Sequence, residues 1–399
     1  MRSVYLDSNA TTRTDPEVVA AMLPFFTDDF GNASSGHNCG ATAAEAVRAA
    51  RRKVQALLGA EHEQEIVFTS GGTEANNTAL LSAFELGGGR DELIVSAVEH
   101  PSILAVCDTL KRRGIGVHRI AVDGKGRLDI AAYRRALGSR TALVSLMWAN
   151  NETGTLFPVA ELADMAREAG ALFHTDAVQA AGKTAIDLKA AKIDMLSLSG
   201  HKFHGPKGIG VLYVRKGVKF TPLIRGGRQE RARRGGTENV PAIAGLGKAA
   251  ELAGLRLEAD AADIEALRNR FEASILECIE DCVVNGDVAN RLPGTSNIAF
   301  DGAEGEAILL HLDKAGIAAS SGSACASGAM EPSHVLRAMN ISYTAAHGAI
   351  RFSFSRDNSQ ADVDRVLGVL PGIVAKARAA SPFALRRNAD LNTSYGFLA

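Results

Sequence analysis

The feature that most limits how this chain can fold is a set of seven short runs, apolar nearly throughout, separated by segments with helical periodicity. The runs are Glu65–Thr69, Glu92–Ser96, Val117–Val122, Ala142–Trp148, Ala171–His174, Ile193–Leu198 and Gly210–Val214. A strand wetted on one face alternates polar and apolar residues, whereas a strand covered on both faces does not. Between the runs, Thr73–Leu86, Ser102–Lys111 and Pro158–Glu168 repeat their apolar residues at helical spacing. Alternating strands and helices predict an α/β fold with a mostly parallel seven-stranded sheet and right-handed crossovers. Ligands of such sheets bind beyond the carboxyl ends of the strands, so the chemistry is sought there.

From about Leu255 the pattern changes. A long helical stretch (Ala261–Glu280) leads into a strand at Ser296–Phe300 and a Gly/Ser/Ala-rich segment at Ser320–Gly328. Arg351–Ser355 (RFSFS) then alternates as a half-buried strand does. The expected division is a large domain over residues 16–255 and a smaller α/β domain made of residues 1–15 and 256–399. The tail from Ser381 has weak periodicity and is expected to be poorly ordered.

Charge and cysteine usage remove several function classes. Lys+Arg of 44 against Asp+Glu of 45 leaves a net charge of −1, with no basic excess to hold nucleic acid or an anionic membrane. The arginines of Arg225–Arg234 are a local feature, read as a solvated or phosphate-facing loop. Met1–Thr12 alternates like a strand and lacks the apolar core of a signal peptide, and no apolar run approaches the ~20 residues of a membrane helix. A cytoplasmic protein is expected. Cys39, Cys107, Cys278, Cys282 and Cys325 are scattered and contain no CxxC pair, which argues against a disulfide framework or a zinc knuckle. Cys278 and Cys282 sit one helical turn apart, near enough to share a metal. Two small apolar side chains on one helix face are the simpler reading.

Several residues at the predicted strand ends carry chemistry. Ser70-Gly71-Gly72-Thr73-Glu74 follows a strand and opens a helix, where small residues let backbone N–H groups approach a phosphate. It lacks the spacings of nucleotide-binding loops, and a turn with a Thr cap explains it equally well. Asp176 closes the strand ALFHTDA and is followed by Gln179, while the next strand runs into Ser199-Gly200-His201-Lys202. An Asp and a Lys at neighbouring strand ends face one sheet edge, and pyridoxal phosphate (PLP) chemistry needs that pair. The carboxylate keeps the pyridine nitrogen protonated, and the amine holds the aldehyde as a Schiff base. Ser199 and His201 are candidate phosphate donors.

Others stand near the same edge. His100, in Glu99-His100-Pro101, is placed to stack on the ring and shuttle protons. Asn151, in NNETG, is a candidate contact of cofactor or substrate, although the segment is also a good turn. Cys325 lies in SSGSACASG, where nothing is bulky enough to anchor a core, so it reads as an accessible thiol with a task. Arg351 opens RFSFS and suits a bidentate grip on a carboxylate. Taken singly, each is also an ordinary structural or surface residue; the argument rests on their combination.

The chain resembles the cysteine desulfurases among fold-type I PLP enzymes. The matching segments are YLDSNATT (Tyr5–Thr12), SGGTEANN (Ser70–Asn77), EHPSIL (Glu99–Leu104), NNETG (Asn150–Gly154) and HTDAVQAAGK (His174–Lys183). They continue with SLSGHKFHGPKGIG (Ser197–Gly210), RRGGTEN (Arg233–Asn239), SSGSACASG (Ser320–Gly328) and IRFSFSR (Ile350–Arg356). They span nearly the whole chain, and details around Cys325 and Arg233 are most similar to the nitrogen-fixation type. Ala33 and Cys39 depart from the pattern, standing where a Pro and a bulkier residue are expected, and neither touches a named role.

The resemblance implies roles. Lys202 bears the PLP Schiff base, Asp176 pairs with the pyridine nitrogen, Gln179 bonds the ring hydroxyl, and His100 stacks on the ring and relays protons. Gly72, Thr73, Ser199 and His201 hold the phosphate, with Thr237 reaching over from the second subunit of a homodimer. Asn151 contacts cofactor and substrate, and Arg351 binds the cysteine carboxylate. Cys325 takes the sulfur of L-cysteine as a persulfide, alanine leaves, and an iron–sulfur scaffold protein accepts the sulfur. No stable metal site is implied, with Cys325 the candidate for a transient iron–sulfur ligand. The rivals are a selenocysteine lyase, an aminotransferase, and a non-enzymatic thiol or metal scaffold.

Overall fold

The computed structural model describes residues 3–85, 88–321 and 332–382. Cys325, most of the Gly/Ser/Ala-rich segment and the tail beyond residue 382 lie outside the described residues.

The strands are β1 (Val4–Tyr5), β2 (Ile66–Thr69), β3 (Glu92–Ser96), β4 (Gly116–Ile120), β5 (Thr141–Ser145), β6 (Leu172–Asp176), β7 (Met195–Ser199) and β8 (Gly210–Val214). Then come β9 (Cys282–Asn285), β10 (Thr295–Phe300), β11 (Ile317–Ala318) and β12 (Ala349–Ser353). The seven predicted runs become β2 to β8. They form one sheet in the order β2-β8-β7-β6-β5-β3-β4, in which β8 alone runs against the rest.

Both faces of this sheet are covered, which is why the runs do not alternate. On one face Val67, Leu93, Val95, Leu143, Met195 and Leu212 pack with Ala79, Leu80, Val106 and Leu110 of the helices Gly72–Glu85 and Pro101–Arg112. On the other, Ile66, Phe68, Ile94, Val144, Leu196 and Val211 share a core with residues of the helices Asn38–Leu57 and Val240–Cys278. Burial of this kind, at roughly 25 cal/mol per Å² of apolar surface, is the main force holding the sheet.

The helix Val240–Cys278 starts earlier than the predicted Ala261–Glu280 and runs unbroken through the change of pattern at Leu255. Along it the core changes. Val240 to Ala253 pack into the large core, whereas Leu267, Phe271 and Ile275 enter a second one with Val4, Leu6, Ile298, Phe300, Ile350, Phe352 and Phe354. The helix ends at Cys278, and Cys282 opens β9 with its thiol against Ile279 O, so the two cysteines do not share a helix face.

β12, β10 and β9 form an antiparallel sheet in that order. All five residues of β12 are buried, which corrects the half-buried expectation. Ile350 and Phe352 enter the second core. The opposite face of β12 carries Arg351 and Ser353, and it meets the N-terminal segment rather than water: Asn9 N donates to Ser353 Oγ at 2.9 Å.

Candidate active site

β6 and β7 are parallel neighbours, paired from His174–Met195 to Asp176–Ser197. Their carboxyl ends deliver Asp176 and, after one 3₁₀ turn (Gly200–Lys202), Lys202. Asp176 is 6% exposed. Its Oδ1 accepts from Val178 N at 3.0 Å and its Oδ2 from Asn76 Nδ2 at 2.7 Å. Among the described residues it has no ion-pair partner. A buried carboxylate is costly unless a cation or further hydrogen bonds compensate it, and a protonated pyridine nitrogen is such a cation.

The start of the helix Gly72–Glu85 lies against both strand ends. A Cβ on Gly72 would fall 2.6 Å from Val178 Cγ2, and one on Gly71 3.8 Å from Ser199 Oγ. The first N–H groups of a helix have no partner within it, and the dipole adds positive potential there. Glu74 braces this start, accepting from Ser70 N at 2.7 Å and from Arg234 Nε at 3.0 Å. The donor set, the helix terminus and the buried Asp176 fit an aromatic phosphate cofactor with a basic ring nitrogen.

His100 caps the helix Pro101–Arg112. Asn76 Nδ2 donates to Ser102 Oγ at 2.9 Å, and Ser102 Oγ lies 2.8 Å from His100 Nδ1, which also accepts from Ser102 N at 3.1 Å. Since Nδ1 accepts the Ser102 N–H, it carries no proton of its own. The neutral ring therefore carries its proton on Nε2. Burial lowers the imidazole pKa and Lys202 adds to this, against the opposing pull of Asp176. His201 is pushed down to about 4 by burial, with Lys202, Lys207 and Lys183 adding, and it acts as a neutral hydrogen-bonding group with Nδ1 3.1 Å from Thr11 Oγ1.

Lys202 Nζ donates to Asn9 O at 2.7 Å and Ala10 O at 2.8 Å. From Asn9 the contacts continue to the second core. Asn9 Nδ2 reaches Asn151 O at 3.2 Å, and the same carbonyl accepts from an Arg351 guanidinium nitrogen at 3.0 Å. Another Arg351 nitrogen pairs with Asp7 Oδ1 at 2.8 Å. Arg351 is 3% exposed, and its Nε has no partner among the described residues. A buried N–H without an acceptor is rare and costs about 1–3 kcal/mol, so it marks a place for an acceptor such as a carboxylate.

The structure thus gathers Lys202, Asp176, Gln179, Ser199, His201, Gly72, His100 and Asn151 at one end of the large sheet, and Arg351 reaches them from β12 of the second sheet through Asn151 O. Asn151 takes part through its backbone carbonyl. Thr73 is exposed at the helix start, and Thr237 is exposed on the turn after Gly236, beside Ser70 and Arg234 rather than Lys202. Cys325 lies outside the described residues. Ser320, at the near end of its segment, is paired with Arg351 through backbone bonds of 2.7 and 3.2 Å. Asn9, Asn76, Ser102 and Lys183 were not singled out from sequence. All four fall inside matched segments, and Asn76 stands one helical turn beyond Gly72, which was the available signal.

Comparison with known proteins agrees with this site. Residues 4–366 match the aminotransferase class-V family, whose members are PLP-dependent enzymes. The chain is 65% identical to a cysteine desulfurase of Gluconacetobacter diazotrophicus over 96% of both chains. It is 57% identical to the cysteine desulfurase NifS of Azotobacter vinelandii over 96% of this chain and 95% of that one. A solved NifS-like protein superposes with a TM-score of 0.88 at 35% identity, covering 94% of this chain and all of that one. The chain belongs to the aminotransferase class-V family, and within it to the cysteine desulfurases.

Proposed function

We propose that this protein is a PLP-dependent sulfurtransferase that removes sulfur from L-cysteine, giving L-alanine and a persulfide on Cys325. The observation that carries the reading is the linkage of Lys202 to Arg351 through Asn9 and Asn151 O. It ties the Lys202 amine to a buried guanidinium with an unused N–H, which supports a site for an α-amino acid. Bound there, PLP would supply an electron sink that labilises the bonds at the substrate Cα.

The chain's own residues do the rest. Arg351 fixes the carboxylate, and Asp176 supplies the negative charge that keeps a ring nitrogen protonated. Gly72, Thr73, Ser199 and His201 hold the phosphate, and Gln179 donates to the ring oxygen. Lys202 is the base near Cα. His100, with its proton held on Nε2, is a proton donor toward the cofactor face. Cys325 is the nucleophile that takes the sulfur, and its segment leaves the described structure beside Arg351.

The reading includes a homodimer in which the exposed Thr237 completes the neighbouring phosphate site. It also includes a cytoplasmic setting and an iron–sulfur scaffold protein as acceptor. Similarity to nitrogen-fixation relatives favours nitrogenase maturation as the destination of the sulfur. The reading keeps the division into residues 16–255 and residues 1–15 with 256–399, which the second core of Val4, Leu6, Phe271, Ile298 and Phe352 supports, although Val335, Leu336 and Met339 pack into the large core. The test is direct: the purified protein, given L-cysteine and a thiol, should release alanine and sulfide in equal amounts without a keto acid. A requirement for a keto acid would identify an aminotransferase instead.

A further inference from the structure

Lys183 has no part in the scheme above, yet it sits at its centre. It follows Gly182, which adopts φ +73° and is pressed so close to Phe203 that a Cβ would fall 2.8 Å from that side chain's Cβ. The turn after β6 is therefore fixed, and it aims Lys183 back toward the N-terminal segment. Lys183 Nζ donates to Gln179 Oε1 at 2.7 Å and to Asn9 Oδ1 at 3.1 Å. Gln179 and Asn9 are 5% and 3% exposed, so neither oxygen has water to fall back on.

These contacts settle which way each amide faces. The Gln179 oxygen is taken by Lys183, and one of its N–H bonds goes to Asn9 O at 2.8 Å. Its second N–H has no acceptor among the described residues. For Asn9, Lys183 holds the oxygen while Nδ2 serves Asn151 O and Thr295 Oγ1 at 3.2 and 2.9 Å. Burial, with Lys202 and Arg351 adding, lowers the Lys183 pKa to about 7. Charged or neutral, the amine has the two N–H groups that the two oxygens need.

We infer that Lys183 is a positioning residue that holds the Gln179 amide with its free N–H turned to the cofactor's ring oxygen, and locks Asn9 between Lys202 and Arg351. The inference rests on the PLP reading above. Removing Lys183 leaves Gln179 Oε1 buried without a donor, and the amide then gains by rotating away from its productive position.

The test is a mutant cycle on the full-length protein, with Lys183→Met, Gln179→Ala and the double variant, read by absorbance titration of PLP into the apo-protein. Lys183→Met should weaken PLP binding about tenfold in the wild-type background, as loss of one well-aligned hydrogen bond does, and less than about twofold once Gln179 is Ala. Equal losses in both backgrounds, or no loss in either, would overturn the positioning role. Lys183→Arg keeps the donors and a similar volume. It should restore most of the affinity; if the Met variant does not fold, the shorter, uncharged Lys183→Gln takes its place in the cycle with the same expected pattern of losses. Absence of a visible cofactor band in wild type would instead refute the PLP reading itself, so the two failures are distinguishable.

Discussion

Asn76 Nδ2 donates to Asp176 Oδ2 across 2.7 Å, joining the second turn of the helix Gly72–Glu85 to the end of β6. The same nitrogen donates to Ser102, so one amide orients both the carboxylate and, through Ser102, the ring of His100. Asn76→Ala should therefore weaken PLP binding and slow turnover together, each by about 10- to 100-fold, the usual effect of losing a hydrogen bond to a buried charge. Titration of the visible cofactor band and a cysteine assay check this. Loss of stability with unchanged cofactor affinity would show that Asn76 only packs.

Asp176→Asn tests the charge itself. The amide keeps the shape of the site but cannot hold a ring nitrogen protonated, and turnover should fall on the order of 10²-fold or more. Circular dichroism should be unchanged. Turnover within about twofold of wild type would place the essential carboxylate elsewhere.

Arg351→Lys separates substrate binding from cofactor binding. An ammonium cannot reproduce the guanidinium's contacts to Asp7 and Asn151 O while also meeting a carboxylate. The KM for L-cysteine should rise about 10- to 100-fold, with the cofactor band unchanged. A shifted band without a KM effect would contradict the assignment.

Cys325→Ala should keep the cofactor spectrum and still bind cysteine, with almost no persulfide formed. Radiolabelled sulfur from cysteine should appear on Cys325 in wild type. Label on Cys39, Cys107, Cys278 or Cys282 would refute the nucleophile.

Glu99 yields a pH prediction. Its Oε1 accepts from Ser96 Oγ and Met147 N at 2.6 and 3.0 Å, while Oε2 has no partner among the described residues. Burial is the largest influence and pushes the carboxyl up to about 8, against about 4.3 in an unfolded chain. The folded state binds the extra proton between those values. The contribution to stability is therefore complete below about pH 4.3 and is lost as pH rises toward 8. Glu99→Gln mimics the protonated form and has no such slope. The difference in Tm, variant minus wild type, should grow in the variant's favour from pH 5 to pH 8.5, and a constant difference would show that Glu99 is ionised throughout.

The large sheet was legible because burial on both faces leaves a signal within each strand: Leu93, Ile94 and Val95 announce their surroundings without reference to any other segment. Asp176 and Lys202 were legible for a related reason, since strand ends can be located from the strands. The helix over residues 240–278 was harder to read. Its first half is rich in Ala and Gly, which pack closely in the large core without forming a clear apolar stripe. β12 misled because alternation says only that two faces differ. Its polar face meets Asn9 and Asp7 instead of water, and only tertiary structure shows that. Asn9, Asn76, Ser102 and Lys183 were missed on similar grounds. Their importance lies in partners up to 344 residues away, and no local pattern records it.

The pairing of Asp7 with Arg351 spans 344 positions, and this bears on how the protein is made. The segment from Asp7 to Ala10 holds both Lys202 and Arg351, so its contacts are complete only when β12 has been made. All seven strands of the large sheet are present by residue 214, with Asp176 and Lys202 beside their ends, while the helix over residues 240–278 that covers one face follows later. Arg351 arrives only with β12. A chain stopped before β12 would carry the Asp176–Lys202 pair without the guanidinium of Arg351, so pairing within the large sheet alone does not complete the site.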